Sequence, residues 1–471
     1  MKHLVLPTLL LCALAACDEP RTTTTTASRE PATKSGTATK SAAVATGSGA
    51  TGSTATSSGA TGSEPAPPKP SEVTLPAKLA TPAPAADLAA LGASHAALGL
   101  DLYRKLGAES PGNFAMSPAS IGFALGMTYL GARGDTATEM KRVLHVTLEP
   151  GPLERAYQSL LTAWLTPKDD ATAPVLRVAN RLFVERTLKV EEPFLASTRD
   201  GFGAPVELLD FVGAAEASRT RINGWVEAQT VGRISELMPP PAVTRDTRLV
   251  LTNALYFKGT WDEPFYEQAT KTEPFWAEGT REVSVPTMHT LRHLGHRDAG
   301  DFAVLELPFG ESAHYLMTIL LPKKRDGLAA LEASLDVARL MPLLRDLEHP
   351  RVDVALPRFK IEPGASLKLK DALEALGMKS AFDGGEADFT GIHRFAKPED
   401  RLYVSQVFHK AFVDVGEKGA EAAAATAVSM ARAGSAPPTD QPVPFVADHP
   451  FLFLLHDRAE ILFIGRVVAP K

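Results

Sequence analysis

Cysteine is almost missing from the 471-residue chain, with Cys12 and Cys17 the only two. Beyond position 17 the sequence therefore excludes disulfides, thiolate nucleophiles and cysteine-ligated zinc. Positive charge is not in surplus either: 49 lysines and arginines face 55 aspartates and glutamates, for a net charge of −6. A polybasic nucleic-acid binder shows the opposite balance, so nucleic acid is not an expected partner. The apolar run Leu4 to Ala16 has about thirteen residues, too few for a bilayer core of about 30 Å, which needs roughly twenty. Catalytic signatures are missing as well. There is no G-x-S-x-G, no H-E-x-x-H, no phosphate loop, and no dinucleotide fingerprint set between a strand and a helix. His289, His293 and His296 lie close in sequence. Without a flanking carboxylate or a regular helical pattern, they read as polar residues of a strand and loop rather than zinc ligands. The expectation is a protein without metal or cofactor that is not an enzyme.

Three composition zones are present. Residues 1–16 combine a short basic start, Met1-Lys2-His3, with the apolar run and the small residues Leu14-Ala15-Ala16 before Cys17. This pattern resembles a bacterial lipobox, in which Cys17 is lipidated and becomes the new N-terminus; an ordinary secretory signal cut nearby is the alternative. Both predict export. The lipoprotein version predicts a protein held on the extracellular or periplasmic side, touching membrane only through its anchor, with more than one acyl chain for stable attachment. Residues 17–85 are dominated by Thr, Ser, Gly, Ala and Pro. Such a segment has too few large apolar side chains to offset the entropy of ordering and reads as a disordered tether. As a flexible coil its roughly 65 residues reach about 40 to 50 Å.

Residues 86–471 have globular composition with no second linker, which argues for one large domain. Leu88, Leu91, Leu98, Leu102 and Leu106 predict a helix, and Ser117-Pro118 opens an apolar helix to Leu130. Thr136 and Glu139 are spaced as a capping box for the next helix. Strand-like runs cover Val175–Val184, Leu249–Lys258, Ala303–Leu307, Tyr315–Leu321, Val352–Phe359, Val404–Val415 and Phe451–Phe463. Helices crowd the first half and strands the second, which predicts an α+β fold with large, mainly antiparallel sheets.

The oddest local feature is Gly416-Glu417-Lys418-Gly419-Ala420-Glu421 followed by Ala422 to Ala425, Thr426, Ala427 and Val428. Alanine favours helix over strand, so this span reads as a short helix or a loose linker. It also lies between two strand-like runs. Taken as a strand, it would place Ala420, Ala422, Ala424, Thr426 and Val428, all small or β-branched, on one face, with Glu421 on the other face in solvent. Both readings stand at this level.

From the same region outward the chain resembles the serpin family of protease inhibitors over nearly all of residues 86–471. The resemblance rests on Asn113-Phe114-Ala115-Met116-Ser117-Pro118-Ala119-Ser120, on Gly131-Ala132-Arg133-Gly134-Asp135-Thr136, and on Ile222-Asn223-Gly224-Trp225-Val226-Glu227 with Thr230-Val231-Gly232-Arg233-Ile234. It continues through Leu251-Thr252-Asn253-Ala254-Leu255-Tyr256-Phe257-Lys258-Gly259, Phe408-His409-Lys410-Ala411-Phe412, Asp448-His449-Pro450-Phe451-Leu452-Phe453 and Leu462-Phe463-Ile464-Gly465-Arg466. The resemblance implies three β-sheets with about eight or nine helices and an exposed reactive-centre loop, here about 417–444. It further implies a monomeric suicide substrate: a serine protease cleaves the loop, the freed hinge inserts into the largest sheet, and the acyl-enzyme is trapped as a covalent complex. A non-inhibitory member acting as a binding or chaperone module is the alternative.

The family's hinge corresponds to Glu417, Gly419, Ala420, Ala422, Ala423, Ala424, Ala425 and Thr426. Many members carry Thr or Ser where this chain has Ala420, a smaller uncharged residue that should still insert. The family's shutter and breach residues correspond to Ser117, Ser120, Asn253, His409 and Trp225. Sixteen positions on from Glu417, the family's usual interval, the scissile bond becomes Ala433–Gly434, which suits an elastase- or subtilisin-like pocket. Arg432 one residue earlier would suit a trypsin-like enzyme instead.

Overall fold

A computed structural model describes residues 81–166, 173–362, 364–421 and 441–470. Cys17, the tether up to residue 80, hinge positions Ala422 to Thr426, and Arg432, Ala433 and Gly434 lie outside the described residues. Those described contain nine α-helices: α1 (Ala85–Glu109), α2 (Pro118–Leu130), α3 (Gly134–Val143), α4 (Pro150–Leu165), α5 (Glu192–Ala196), α6 (Phe211–Gln229), α7 (Leu328–Ser334), α8 (Val337–Leu343) and α9 (Lys370–Leu376). With three sheets beside them the fold is α+β, as the sequence predicts.

The six-stranded sheet runs β1 (Phe114–Met116), β18 (Ile461–Val467), β17 (Phe451–His456), β9 (Tyr315–Pro322), β8 (Phe302–Phe309), β7 (Gly295–Asp298). Every residue of β9, β17 and β18 is buried. Near-continuous apolar runs are what strands covered on both faces require. A four-stranded sheet runs β16 (Val443–Val446), β10 (Arg351–Pro357), β6 (Arg281–His293), β5 (Lys271–Ala277). The central sheet holds β2 (Val175–Glu185), β3 (Glu207–Leu209), β4 (Leu249–Thr260), β11 (Phe359–Ile361), β12 (Leu367–Lys368), β13 (Val407–Ala411), β14 (Val413–Gly416) and β15 (Gly419–Ala420).

Helix α2 is buried from Pro118 to Tyr129, the condition of a helix apolar on every side. The Ser117 side chain caps it by accepting from the Ser120 amide at 3.2 Å, and Pro118 occupies the first turn. Helix α1 turns its leucines inward, with Leu91, Leu98, Leu102 and Leu106 all buried.

Four local expectations are corrected. Thr136 and Glu139 do not form a capping box, because α3 starts earlier, at Gly134. Their side chains accept instead from the distant amides of Asp388, at 3.0 Å, and of Lys379 and Ser380, each at 2.7 Å. The run Val352–Phe359 divides at Arg358, where the chain leaves the four-stranded sheet for the central one. Val404–Val415 breaks at Phe412 into β13 and β14, and Phe451–Phe463 is a hairpin, β17 turning into β18.

Candidate functional site: a forked sheet and its hinge

The central sheet is closed at one end and forked at the other. Strand β4 pairs in parallel with β13 from Leu251↔Val407 to Leu255↔Ala411. Past Leu255 the partner changes, since β14 no longer meets β4 directly. Between them lies β15, antiparallel to both, with Gly419↔Thr260 and Ala420↔Gly259 on one side and Gly416↔Gly419 and Val415↔Ala420 on the other. Gly419 and Ala420 of the alanine-rich span are thus already strand, and Ala420 is 3% exposed.

Gly419 is required at this position. Its φ is +141°, and a Cβ there would stand 2.0 Å from the Gly259 carbonyl oxygen, a contact no side chain can make.

The turn leading into β15 is latched on several sides. Glu417 is buried and accepts hydrogen bonds from Thr270 Oγ1 at 2.6 Å and Arg358 Nε at 2.7 Å. Burial works against its charge, but the bonds from Arg358 and Thr270 outweigh it and hold the carboxyl below its ordinary value. Trp261 donates from Nε1 to the Gly416 carbonyl at 2.9 Å and from its amide to the Lys418 carbonyl at 2.9 Å. Its ring stacks on Phe309 at 4.3 Å. Lys418 pairs with Glu267 at 3.3 Å.

Glu421 corrects the expectation of a solvent-facing side chain. Its side chain is only 5% exposed and pairs with Arg233, while its amide donates to the Asp414 carbonyl at 2.8 Å. Burial and the adjacent Glu421 carboxylate push the Tyr256 hydroxyl up to about 12.

A family model described as "Serpin (serine protease inhibitor)" matches residues 93–470. The chain belongs to the serpin family. Leukocyte elastase inhibitor from Sus scrofa is 38% identical over 391 residues, which cover 81% of this chain and 99% of that protein. Among solved structures, Serpin48 of the insect Tenebrio molitor, described as highly specific, is 32% identical with a TM-score of 0.71, covering 81% of this chain and 98% of that one. Human thyroxine-binding globulin in complex with thyroxine is 29% identical with a TM-score of 0.72, covering 82% and 100%.

In this serpin four of the residues matched to shutter and breach come together at the closed end of the sheet. Asn180 on β2, Asn253 on β4 and His409 on β13 occupy one register row. The amide of Ser117 donates to His409 Nε2 at 3.0 Å, and Ser120 Oγ donates to Asn180 Oδ1 at 3.4 Å. The accepting Nε2 identifies His409 as a neutral imidazole with its proton on Nδ1. Ser117, Ser120 and His409 therefore belong to a single polar junction between α2 and the seam that must part if β15 is to lengthen, with the Asn253 backbone in the same register row.

Trp225 does not belong to the fork. It sits on α6, packs 5.8 Å from Phe183, and lies under the guanidinium of Arg181 at 4.5 Å. Phe183 and Arg181 pair with Val250 and Thr252, at the opposite end of β4 from Gly259. Trp261 stands at the fork instead. Sequence reasoning also passed over Arg358, Thr270, Arg233 and Asn180. The available signals were the position of Trp261 immediately after the Leu251–Gly259 block and the Pro357-Arg358 interruption of a strand-like run.

The three histidines read against zinc occupy separate settings. His289 Nε2 lies 3.1 Å from a Glu273 oxygen, His293 bonds the His349 carbonyl at 3.1 Å, and His296 is buried on β7. Among the described residues no group of three or more metal-ligating side chains converges.

Proposed function

We propose that this serpin is an irreversible inhibitor of serine proteases, acting by extension of β15. The observation that carries this is the fork: Gly419 and Ala420 already occupy the place between β14 and β4 that a longer strand would fill. Cleavage beyond Glu421 frees the preceding segment to continue in the same direction. On an extended β15, Ala422, Ala424, Thr426 and Val428 would share the face of Ala420 and bring nothing bulky or charged to the core. About a dozen new ladder hydrogen bonds at roughly 0.5 to 1.5 kcal/mol each give on the order of 10 kcal/mol. That is comparable with the whole stability of an ordinary domain, and large enough to distort an attached acyl-enzyme before water releases it. Serpin loop insertion is an established instance of strand addition that releases stored strain.

The bond attacked is Ala433–Gly434 in this proposal, with elastase- and subtilisin-like proteases as targets; attack at Arg432 by a trypsin-like enzyme is the competing register. Export through residues 1–16 and anchoring at Cys17 would place the domain outside the cytoplasm, on residues 17–85 as tether. The structural likeness to thyroxine-binding globulin keeps a second role open, in which the loop is cleaved without trapping and the domain serves as a binding module.

Incubation with elastase, subtilisin and trypsin separates these outcomes. Denaturing gels should show a covalent complex, mass spectrometry of the released C-terminal peptide should give its start at Gly434, and the cleaved protein should melt above the intact one. Cleavage with no complex and no rise in Tm would overturn the inhibitory function.

A further inference from the structure

Helix α1 turns Leu91, Leu98, Leu102 and Leu106 into the core, while another of its faces carries only small side chains, Ala90, Ala93 and Ala97, at helical spacing. With Val146 after α3 and Val337 of α8, these alanines line an open groove of about 660 Å³ flanked by Lys141 and Arg142. Ala93 is exposed, and Ala90, Ala97 and Val337 are half-buried. The flanking cations are only lightly engaged. Lys141 meets the exposed Glu149 at 3.1 Å, and Arg142 donates to a neutral partner, the Gly377 carbonyl, at 3.0 Å. An apolar floor left open to water marks a contact surface.

The chain itself supplies an occupant of matching chemistry. Between Asp18 and Pro84 the large apolar residues are Val44, Val73, Leu75 and Leu79 alone, so three of the four fall in one short stretch just ahead of α1. Val73, Leu75, Ala77 and Leu79 alternate, which puts all four on one side of an extended chain. Glu72 precedes them and brings a negative charge to the rim of Lys141 and Arg142. Reach permits the contact. From Thr81, the first described residue, the chain needs at most about 14 Å to the start of α1 at Ala85 and about 7.5 Å of helix to Ala90. Back from Thr81 to Val73 an extended chain spans up to about 27 Å, enough to bring Leu75 and Val73 to the groove.

We propose that the groove between α1, α3 and α8 is the docking site of this chain's own segment Glu72 to Leu79, which lies back along α1 with Val73 and Leu75 on Ala90 and Ala93. Docking shortens the free tether to residues 18–72 and fixes the side of the domain from which it departs. The inference goes beyond the inhibitory function and does not depend on it. Its test is timed trypsin digestion of the full chain, with the tether peptides followed by mass spectrometry. Lys34, Lys40 and Lys78 offer cleavable bonds in the same tether, whereas Lys69 precedes Pro70. Digestion is repeated on Ala93→Glu, which puts a charge on the groove floor at an exposed helix position, and on the Val73→Asp, Leu75→Asp double variant. Ala93→Ser is the conservative control, and an unchanged Tm shows that each variant is folded.

The expected result is cleavage after Lys78 at least tenfold slower than after Lys34 and Lys40 in the wild type and in Ala93→Ser. Both charged variants should speed the Lys78 cut about tenfold and leave the other two unchanged. A wild type cut after Lys78 as fast as after Lys40 would overturn the docking. Slow cleavage that neither charged variant relieves would overturn it too, since the neighbouring domain alone would then be the shield. Protection that fades on dilution would assign the groove to the segment of a second copy and overturn the intrachain contact. Cleavage at Arg432 releases separate peptides, so the fate of the reactive loop is read independently of the tether.

Discussion

The six-stranded sheet and the central sheet are held by different means. In β9, β17 and β18 every residue is buried, and the neighbours are mostly leucine, isoleucine and phenylalanine. Along the seam of the central sheet the ties are polar: Ser117 to His409, Ser120 to Asn180, Glu417 to Arg358 and Thr270, Glu421 to Arg233. Apolar packing is worth about 25 cal/mol per Å² and has no way to open without losing that contact. A hydrogen bond nets only about 0.5 to 1.5 kcal/mol and can be remade to a new partner. On the proposed mechanism one sheet would stay shut and the other part, so that the choice of side chains would separate global stability from strand exchange.

The largest expected effect comes from blocking the fork. Ala420→Arg places a charge where 3% exposure leaves no room. It should abolish the SDS-stable complex, lowering its yield at least a hundredfold while the loop is still cut; persistence of the complex would refute extension through β15. Next comes damage to the permanent sheet. Leu454→Ala, at 0% exposure, should cost about 2 to 5 kcal/mol in chemical unfolding, yet leave the ratio of complex to cleaved product as it was. A changed ratio would mean the two sheets are not separable.

A smaller effect is expected at the latch. Arg358→Ala removes the guanidinium from the buried Glu417 carboxylate, a charged hydrogen bond worth about 1.5 to 3 kcal/mol. The variant should convert spontaneously to a loop-inserted, uncleavable form faster than wild type on warming, as native gels and loss of cleavage would record. Smallest is the response to acid. His456 on β17 is buried and neutral, its Nδ1 accepting from the Arg458 amide at 3.0 Å and its Nε2 bonding Thr318 at 2.8 Å. Burial, reinforced by nearby Arg458, lowers it to about 3. Its contribution is complete above the ordinary histidine value of about 6.5 and is lost as pH falls toward 3. Glu417 is also lowered, so its contribution holds until pH drops below the ordinary carboxylate value of about 4.3. Between about pH 6.5 and 4.5, Tm should decline by a few degrees through His456, a slope that His456→Gln should flatten, while the rate of spontaneous loop insertion stays constant.

Much of the frame was legible from residue order. Periodic leucines set α1, Ser117-Pro118 set the start of α2, and the apolar runs located β9 and the residues of β17 and β18 without the turn that makes them a hairpin. What stayed hidden depended on contacts between remote positions. Thr136 and Glu139 have the spacing of a local cap but serve backbone amides about 240 to 250 residues away. Glu421 alternates toward solvent on any strand template, and only the fold brings Arg233 to meet it. The tryptophan of the fork was sought at Trp225, within a recognisable block, when the indole that bonds the hinge backbone is Trp261. Ser117, Ser120, Asn253 and His409, by contrast, were singled out by resemblance; Ser117 meets His409, Ser120 meets Asn180, and Asn253 shares their register row.

The two residues of β15 resemble a toehold in strand displacement. Each further step of the zipper would break one side of the β4–β13 pairing and create two antiparallel sides, beginning at Leu255↔Ala411 and ending near Leu251↔Val407. Exchange built this way would need no separate nucleation event and would run in a single direction, so the proposed interval between cleavage and capture would be governed by how quickly five residue pairs let go.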